Sequence, residues 1–321
     1  MTSAITVSGL RKSFGSKVVL DGIDLEVGAG TTFSLLGPNG AGKTTTVQIM
    51  STLVRADGGE VRVAGHDVAR NPAAVRAAIG VTGQFSAVDG LLTGEENLLL
   101  MADLHHLSRA GGRRRAAALL SQFDLADAAK KTAMTYSGGM RRRLDLAMTL
   151  IGDPRIIFLD EPTTGLDPRS RRMMWQTIRD LVAGGVTILL TTQQLDEADA
   201  LADRIALLDH GKVVAAGTPE ELKHGIPGAH VRLRFADVAG LDAAERALGA
   251  LGAFRQEDTL TLEVPSDGGA TAVRALLNRL GDTADDVGEV SVHTPDLDDV
   301  FFALTGHPTA KTTDEEMENV R

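Results

Sequence analysis

The sequence contains no cysteine, which removes disulfides, thiolate metal sites and thiol nucleophiles together. It has no long apolar run either. Stretches such as Val186 to Leu190 and Ile205 to Leu208 fall far short of the roughly 18 residues that a membrane-spanning helix needs. Met1 to Val7 carries neither a cationic start nor an apolar signal core, so no export signal is expected and the chain is expected to stay in the cytoplasm. A basic surplus is missing as well. The formal net charge of -10 disfavours sequence-independent binding to nucleic acid, which relies on excess Lys and Arg facing phosphates, and no nucleic-acid partner is expected.

What is present is an ordinary globular mixture. With 43% apolar and 24% charged residues, neither a disordered chain nor a fibrous repeat is indicated, and 321 residues suit two domains of about 150 each. The acidic surplus lies at one end: residues 1–228 hold 25 acidic and 25 basic side chains, whereas 229–321 hold 18 and 8. The breaker-rich stretch His224-Gly225-Ile226-Pro227-Gly228 marks the expected linker. This divides the chain into a first domain of residues 1–224, a second of 229–306 and a frayed tail of 307–321.

Before the linker, short β-rich runs (Thr32 to Leu36, Ile79 to Thr82, Ile156 to Leu159, Val186 to Thr191, Arg204 to Leu208) alternate with helical patterns. Such alternation predicts an α/β domain with a parallel sheet covered by helices. After it, the expected order is strand His230 to Phe235, helix Leu241 to Leu251, strands Phe254 to Glu257 and Thr259 to Val264, helix Ala270 to Leu280 and strand Glu289 to His293. That order suggests a small α+β ferredoxin-like domain. Leu297, Val300, Phe301 and Leu304 then form the apolar stripe of a closing amphipathic helix.

The strongest local signal is Gly37-Pro38-Asn39-Gly40-Ala41-Gly42-Lys43-Thr44, followed by Thr45. It satisfies the phosphate-loop pattern of glycine, four residues, glycine, lysine and a hydroxyl. It follows a predicted strand and opens a predicted helix, so free backbone N–H groups and the positive end of a helix dipole converge on one anion. Lys43 is then expected to reach the terminal phosphates and the Thr44 hydroxyl to ligate Mg²⁺. Ile156-Ile157-Phe158-Leu159-Asp160-Glu161 supplies a buried strand ending in two acids. Asp160 is expected to help fix the metal and Glu161 to orient or deprotonate an attacking water.

These two motifs would suit a kinase, a GTPase or a motor equally well. Tyr136-Ser137-Gly138-Gly139-Met140-Arg141 discriminates among them. It resembles the signature of ATP-binding cassette (ABC) proteins, with Tyr136 where Leu is usual and Met140 where Gln is usual. Further landmarks follow in family order: Phe14 resembles the aromatic that stacks on adenine, Gln84 the Q-loop glutamine that serves catalysis and the metal, and Gly165-Leu166-Asp167 the D-loop. The resemblance covers the first domain. It implies a parallel sheet core with an antiparallel β subdomain, and a helical subdomain at about residues 85–150 that includes the patterns Glu95 to Leu107 and Arg113 to Phe123. It also implies a head-to-tail homodimer, in which ATP lies between the phosphate loop of one copy and Ser137, Gly138 and Gly139 of the other.

One departure bears on chemistry. Where most cassettes carry a His beside the γ-phosphate, this chain has Gln193, which can donate a hydrogen bond but not exchange a proton near neutrality. The surrounding run, Thr191 to Asp199 and Ala202 to Ile205, is similar to the daunorubicin-resistance type of drug-efflux ATPase subunit, as is Pro295 to Gly306. The resemblance implies an ATP-hydrolysing subunit at the inner face of the cell membrane, powering a separate transmembrane permease. The rival readings are a soluble cassette ATPase acting on nucleic acid or ribosomes, and a slow-turnover regulator. Arg113-Arg114-Arg115 and Arg141-Arg142-Arg143 sit on predicted helices beside acids and are expected to be solvated faces.

Overall fold

The computed structural model describes residues 2–84, 86–225, 229–266, 269–293 and 295–305. Its contacts divide the chain between Pro219 and Glu220. The helix Pro219–His224 therefore falls almost wholly with the second unit, ahead of the expected break. The expected linker residues Ile226 to Gly228 and the tail beyond Thr305 lie outside the described residues.

The first unit is built on two sheets. Strands β1 (Ser3–Phe14), β2 (Lys17–Gly28), β4 (Gly58–Val63) and β5 (His66–Asp67) form an antiparallel sheet in the order β2-β1-β4-β5. The larger sheet uses β3 (Thr32–Leu36), β6 (Ile79–Thr82), β7 (Ile156–Asp160), β8 (Thr187–Thr192), β9 (Arg204–Asp209) and β10 (Lys212–Gly217), in the order β10-β9-β3-β8-β7-β6. Every pairing from β9 across to β6 is parallel, and β10 closes the edge antiparallel to β9. All residues of β3, β7 and β8 are buried, which is why these strands read as unbroken apolar runs rather than alternating ones.

Two cores flank this sheet. One packs Phe33, Leu35, Phe158 and Leu189 against the antiparallel sheet and helix α1 (Lys43–Met50), with Val75 of α2 (Pro72–Ala78) at its border. The other packs Ile157, Leu159, Ile188 and Leu190 against α3 (Gly94–Leu104), α4 (Arg109–Gln122), α5 (Gly138–Thr149) and α6 (Pro168–Ala183). The last helix of the sheet domain is α7 (Leu195–Leu201). Helices α3 and α4 start earlier than their apolar periodicity suggests because caps define them. Thr93 and Glu96 form a reciprocal capping box, and the Ser108 hydroxyl accepts the Gly111 N–H.

Sheet order assembles the loops. The C-terminal ends of β3, β8, β7 and β6 lie side by side, with Leu36 opposite Thr192, Asp160 opposite Thr191 and Thr82 opposite Leu159. The segments leaving those ends begin at Gly37, Gln193, Glu161 and Gly83, so four stretches distant in sequence meet at the carboxyl edge, where α/β sheets hold ligands.

In the second unit α8 (Pro219–His224) is followed by β11 (His230–Phe235), α9 (Val238–Leu248), β12 (Phe254–Gln256), β13 (Thr261–Pro265), α10 (Ala270–Leu280), β14 (Val287–His293) and α11 (Leu297–Thr305). The sheet order β12-β13-β11-β14, antiparallel throughout, is ferredoxin-like. Its core is Val231, Leu233, Phe235, Leu241, Leu248, Leu262 and Val264. Asp237 caps α9 through the Gly240 N–H, so that helix starts earlier than expected and gives way to a 3-10 turn at Gly249–Leu251. In α11, Leu297, Val300 and Phe301 are buried while Leu304 stays 42% exposed, which narrows the expected stripe.

Candidate nucleotide site

The phosphate loop is bent by its glycines. A Cβ on Gly37 would strike the Leu208 carbonyl, and one on Gly42 would stand 2.5 Å from Leu20 Cδ2. Gly42 also adopts φ 110, a conformation that side-chain-bearing residues avoid. Gly42 caps α1, whose first residue is Lys43. The Lys43 side chain is 4% exposed and folds back over the loop, with Nζ donating to the carbonyls of Gly37 (2.7 Å) and Pro38 (3.1 Å). Burial lowers its pKa, and the nearby Glu161 and Asp160 carboxylates oppose that shift.

The acidic strand end meets this loop. Thr44 Oγ1 donates to Asp160 Oδ1 at 3.3 Å, and Thr191 Oγ1 donates to the same oxygen at 2.5 Å. Glu161 Oε1 stands 3.7 Å from Lys43 Nζ, while its Oε2 accepts the Thr164 hydroxyl at 3.2 Å. The Glu161 backbone sits at φ 47, a strained left-handed conformation that costs on the order of 1–3 kcal/mol. Its N–H donates to the Thr191 carbonyl and hydroxyl.

A groove of about 360 Å³ runs between these elements, lined by Phe14, Lys17, Asn39, Gly40, Gly42 to Thr45, Gln84 and Glu161. Phe14 is half exposed there, with Lys12 Nζ 5.1 Å from its ring centroid. Lys12 is itself held by Asp57 Oδ1 at 2.8 Å. Ala41 packs into the core, so its side chain does not line the groove. Gln193 is exposed beyond β8 and is not part of the lining. Ser137, Gly138 and Gly139 are also absent from the lining. They open α5, where the Ser137 hydroxyl accepts the Met140 N–H and a Cβ on Gly139 would meet Ser170 Oγ at 2.5 Å. The structure thus unites the phosphate loop, Asp160, Glu161, Gln84 and Phe14, and leaves the signature tip outside.

Tyr136 accounts for its own departure from the family leucine. Its ring is buried in the core, and its hydroxyl donates to the Ala128 carbonyl at 2.8 Å.

One expectation is overturned. Arg141-Arg142-Arg143 is not a solvated face: Arg142 is 9% exposed, the Arg143 guanidinium donates to the Phe123 carbonyl at 2.9 Å, and Arg141 Nε is buried. In the other triplet Arg115 donates to the Leu150 carbonyl, while Arg113 and Arg114 are exposed as expected. The reason is that α5 packs on the sheet with few exposed turns, so long side chains there end on backbone carbonyls. Thr191, Asp145 and Glu197 join the site's surroundings without a sequence motif to mark them. The Arg142 and Asp145 spacing of three residues was the available signal.

A family model for ABC transporters matches residues 20–164. The daunorubicin/doxorubicin resistance ATP-binding protein of Streptomyces peucetius is 50% identical over 318 residues, covering 98% of this chain and 96% of that one. The chain belongs to the ABC transporter family as an ATP-binding subunit. The doxorubicin resistance ATP-binding protein of Mycobacterium tuberculosis is 45% identical over 97% of this cassette and 96% of its own length. Among solved structures, the dimeric post-hydrolysis state of an ATP-binding cassette with bound ADP and Pi superimposes with a TM-score of 0.61 and 26% identity, over 67% of this chain and 98% of that one. Such cassettes hydrolyse ATP, and this one is an ATPase of that family. Among the described residues no helix is long and apolar enough to cross a membrane.

Proposed function

We propose that two copies of this cassette clamp MgATP between them and drive a separate membrane permease that exports amphiphilic drugs or secondary metabolites from the cytoplasmic side. The observation that carries the reading is the likeness to resistance ATP-binding proteins across both units, not the cassette alone. The acidic second unit travels with that likeness and is assigned to assembly with the partner.

The roles follow from position. Gly37, Pro38, Asn39, Gly40, Ala41, Gly42, Thr44 and Thr45 cradle the phosphates, with Lys43 turned toward them, and Phe14 takes the adenine face. Thr44 Oγ1 and Asp160 Oδ1 are hard oxygen donors within 3.3 Å of one another, which suits Mg²⁺, an ion that prefers few protein ligands beside phosphates and water. With Gln84 they would hold it, and the bound ion would neutralise charge building on the phosphate oxygens. Glu161 takes the proton of the attacking water. Its strained backbone aims the carboxylate at Lys43 and the groove. Gln193, outside the groove lining of the single chain, is assigned its uncharged hydrogen bond to the terminal phosphate by the family likeness rather than by its position. Ser137, Gly138 and Gly139 act on the nucleotide of the second copy, in keeping with their place outside the groove of their own.

The γ-phosphate then supplies contacts present only in the closed dimer, and hydrolysis removes them, so turnover is a population shift. The test is expression with a candidate permease in a drug-sensitive host. Tolerance and drug efflux should rise with the wild-type pair and vanish with Glu161→Gln. Tolerance that survives that substitution would contradict the proposal.

A further inference from the structure

Arg142 belongs to none of the motifs that line the groove, yet its buried guanidinium is the most heavily used side chain beside it. Nε donates to the Pro162 carbonyl at 2.9 Å, and Nη2 to the carbonyls of Asp160 at 3.1 Å and Glu161 at 3.4 Å. Three successive carbonyls converge on one cation only because the chain turns left-handed at Glu161. Nη1 reaches the other way, to the Gly83 carbonyl at 2.7 Å and to Asp145 Oδ2 at 3.3 Å. Asp145 Oδ1 in turn accepts the Ala87 N–H at 3.1 Å. The ion pair thus grips the Gln84 segment at Gly83 on one side and Ala87 on the other. Both partners stand on α5, the helix that Ser137 opens.

We infer that Arg142 is a positioning residue for hydrolysis: paired with Asp145, it fixes the left-handed turn that aims Glu161 and ties that turn, the Gln84 segment and the signature helix into one moving unit. The inference rests on the hydrolytic reading of Glu161 above. The geometry favours arginine specifically. A planar fork can satisfy carbonyls in several directions at once, whereas a lysine is a single point charge on a flexible stem. Burial opposes charge on both partners, pushing the Asp145 carboxyl up and the Arg142 guanidinium down. Such a pair is weak as a source of stability, and what it supplies here is the geometry it imposes.

The test uses the purified full chain. Arg142→Lys should lower kcat for phosphate release about 10²-fold, the scale expected for misplacing a catalytic group by an ångström, while KM for ATP changes less than about threefold. Asp145→Asn keeps the volume, serves where the lysine variant fails to fold, and should lower kcat about tenfold. In a Glu161→Gln background Arg142→Lys should remove less than about twofold of the residual rate, because the group it positions is already gone. An unchanged kcat in folded Arg142→Lys and Asp145→Asn overturns the inference. So does an equal fractional loss in the Glu161→Gln background, which would mark a general structural role. A wild-type chain that releases no phosphate would instead sink the hydrolytic reading, and the inference with it.

Discussion

Lys43 Nζ and Glu161 Oε1 stand 3.7 Å apart, and neither side chain is more than 10% exposed. One comes from the first turn of a helix and the other from just beyond a strand 118 positions further along the chain. Only the adjacency of β3, β8 and β7 brings them together. In so dry a place each charge needs the other, and a bound polyphosphate would compete for the lysine.

Lys43→Ala removes that cation. Charge-assisted hydrogen bonds contribute roughly 1.5–3 kcal/mol each, so the dissociation constant for a fluorescent ATP analogue should rise about 10- to 100-fold. Titration of the purified variant measures this, and an unaltered affinity would show that the lysine faces no phosphate.

Phe14 offers a half-exposed ring to the groove, held in place by the Lys12 and Asp57 pair behind it. Stacking of a base on an aromatic ring is worth about 1–3 kcal/mol. Phe14→Ala should therefore weaken nucleotide binding at least about fivefold, while Phe14→Trp retains it. Equal affinities for the alanine and tryptophan variants would exclude adenine stacking.

Tyr136→Phe tests the departure from the family leucine. Losing the hydroxyl removes one of two donors to the Ala128 carbonyl, which keeps the Lys131 N–H, at about 0.5–1.5 kcal/mol. The midpoint of urea unfolding should fall accordingly. Gly94→Ala should cost more than this in the wild type, because its Cβ runs into the Tyr136 hydroxyl, and markedly less when combined with Tyr136→Phe. Strict additivity would refute the steric account.

The phosphate loop and β7 were legible because a glycine pattern and an all-apolar run are local. The strands of the antiparallel sheet are not individually legible. Repeated register shifts between β1 and β2, as between Val7 and Leu10, break the alternation by which a two-faced strand is recognised. The burial of Arg142 is not legible because four of its five hydrogen-bond partners are carbonyls that only the sheet order and the turn at Glu161 bring near, the fifth being Asp145 one turn along the same helix. A run of three arginines looks the same whether it ends in water or on backbone. The helix α3 starts one residue before its expected head because the Thr93 and Glu96 capping box sets its start, while periodicity reports only the buried stripe.

Glu197 supplies a pH prediction. Burial pushes its carboxyl up, against hydrogen bonds from Thr163, Thr192 and Trp175. A carboxyl raised in the folded state stabilises most when protonated, below its unfolded value of about 4.3, and that contribution is lost as pH rises through the folded value. Glu197→Gln keeps an acceptor for Thr163 and Trp175 without the charge. The variant's Tm should match the wild type in acid and exceed it increasingly toward neutral pH. A gap that is constant with pH would contradict the assignment.

The shared nucleotide is the central claim, and the absence of native cysteine makes it directly measurable. With Asn39→Cys and Ser137→Cys as the sole thiols in a Glu161→Gln background, oxidation should produce a covalent dimer when MgATP is added and little with MgADP or no nucleotide. A cross-link that forms equally without ATP, or none under any condition, would contradict a triphosphate held between the loop of one copy and the serine of the other.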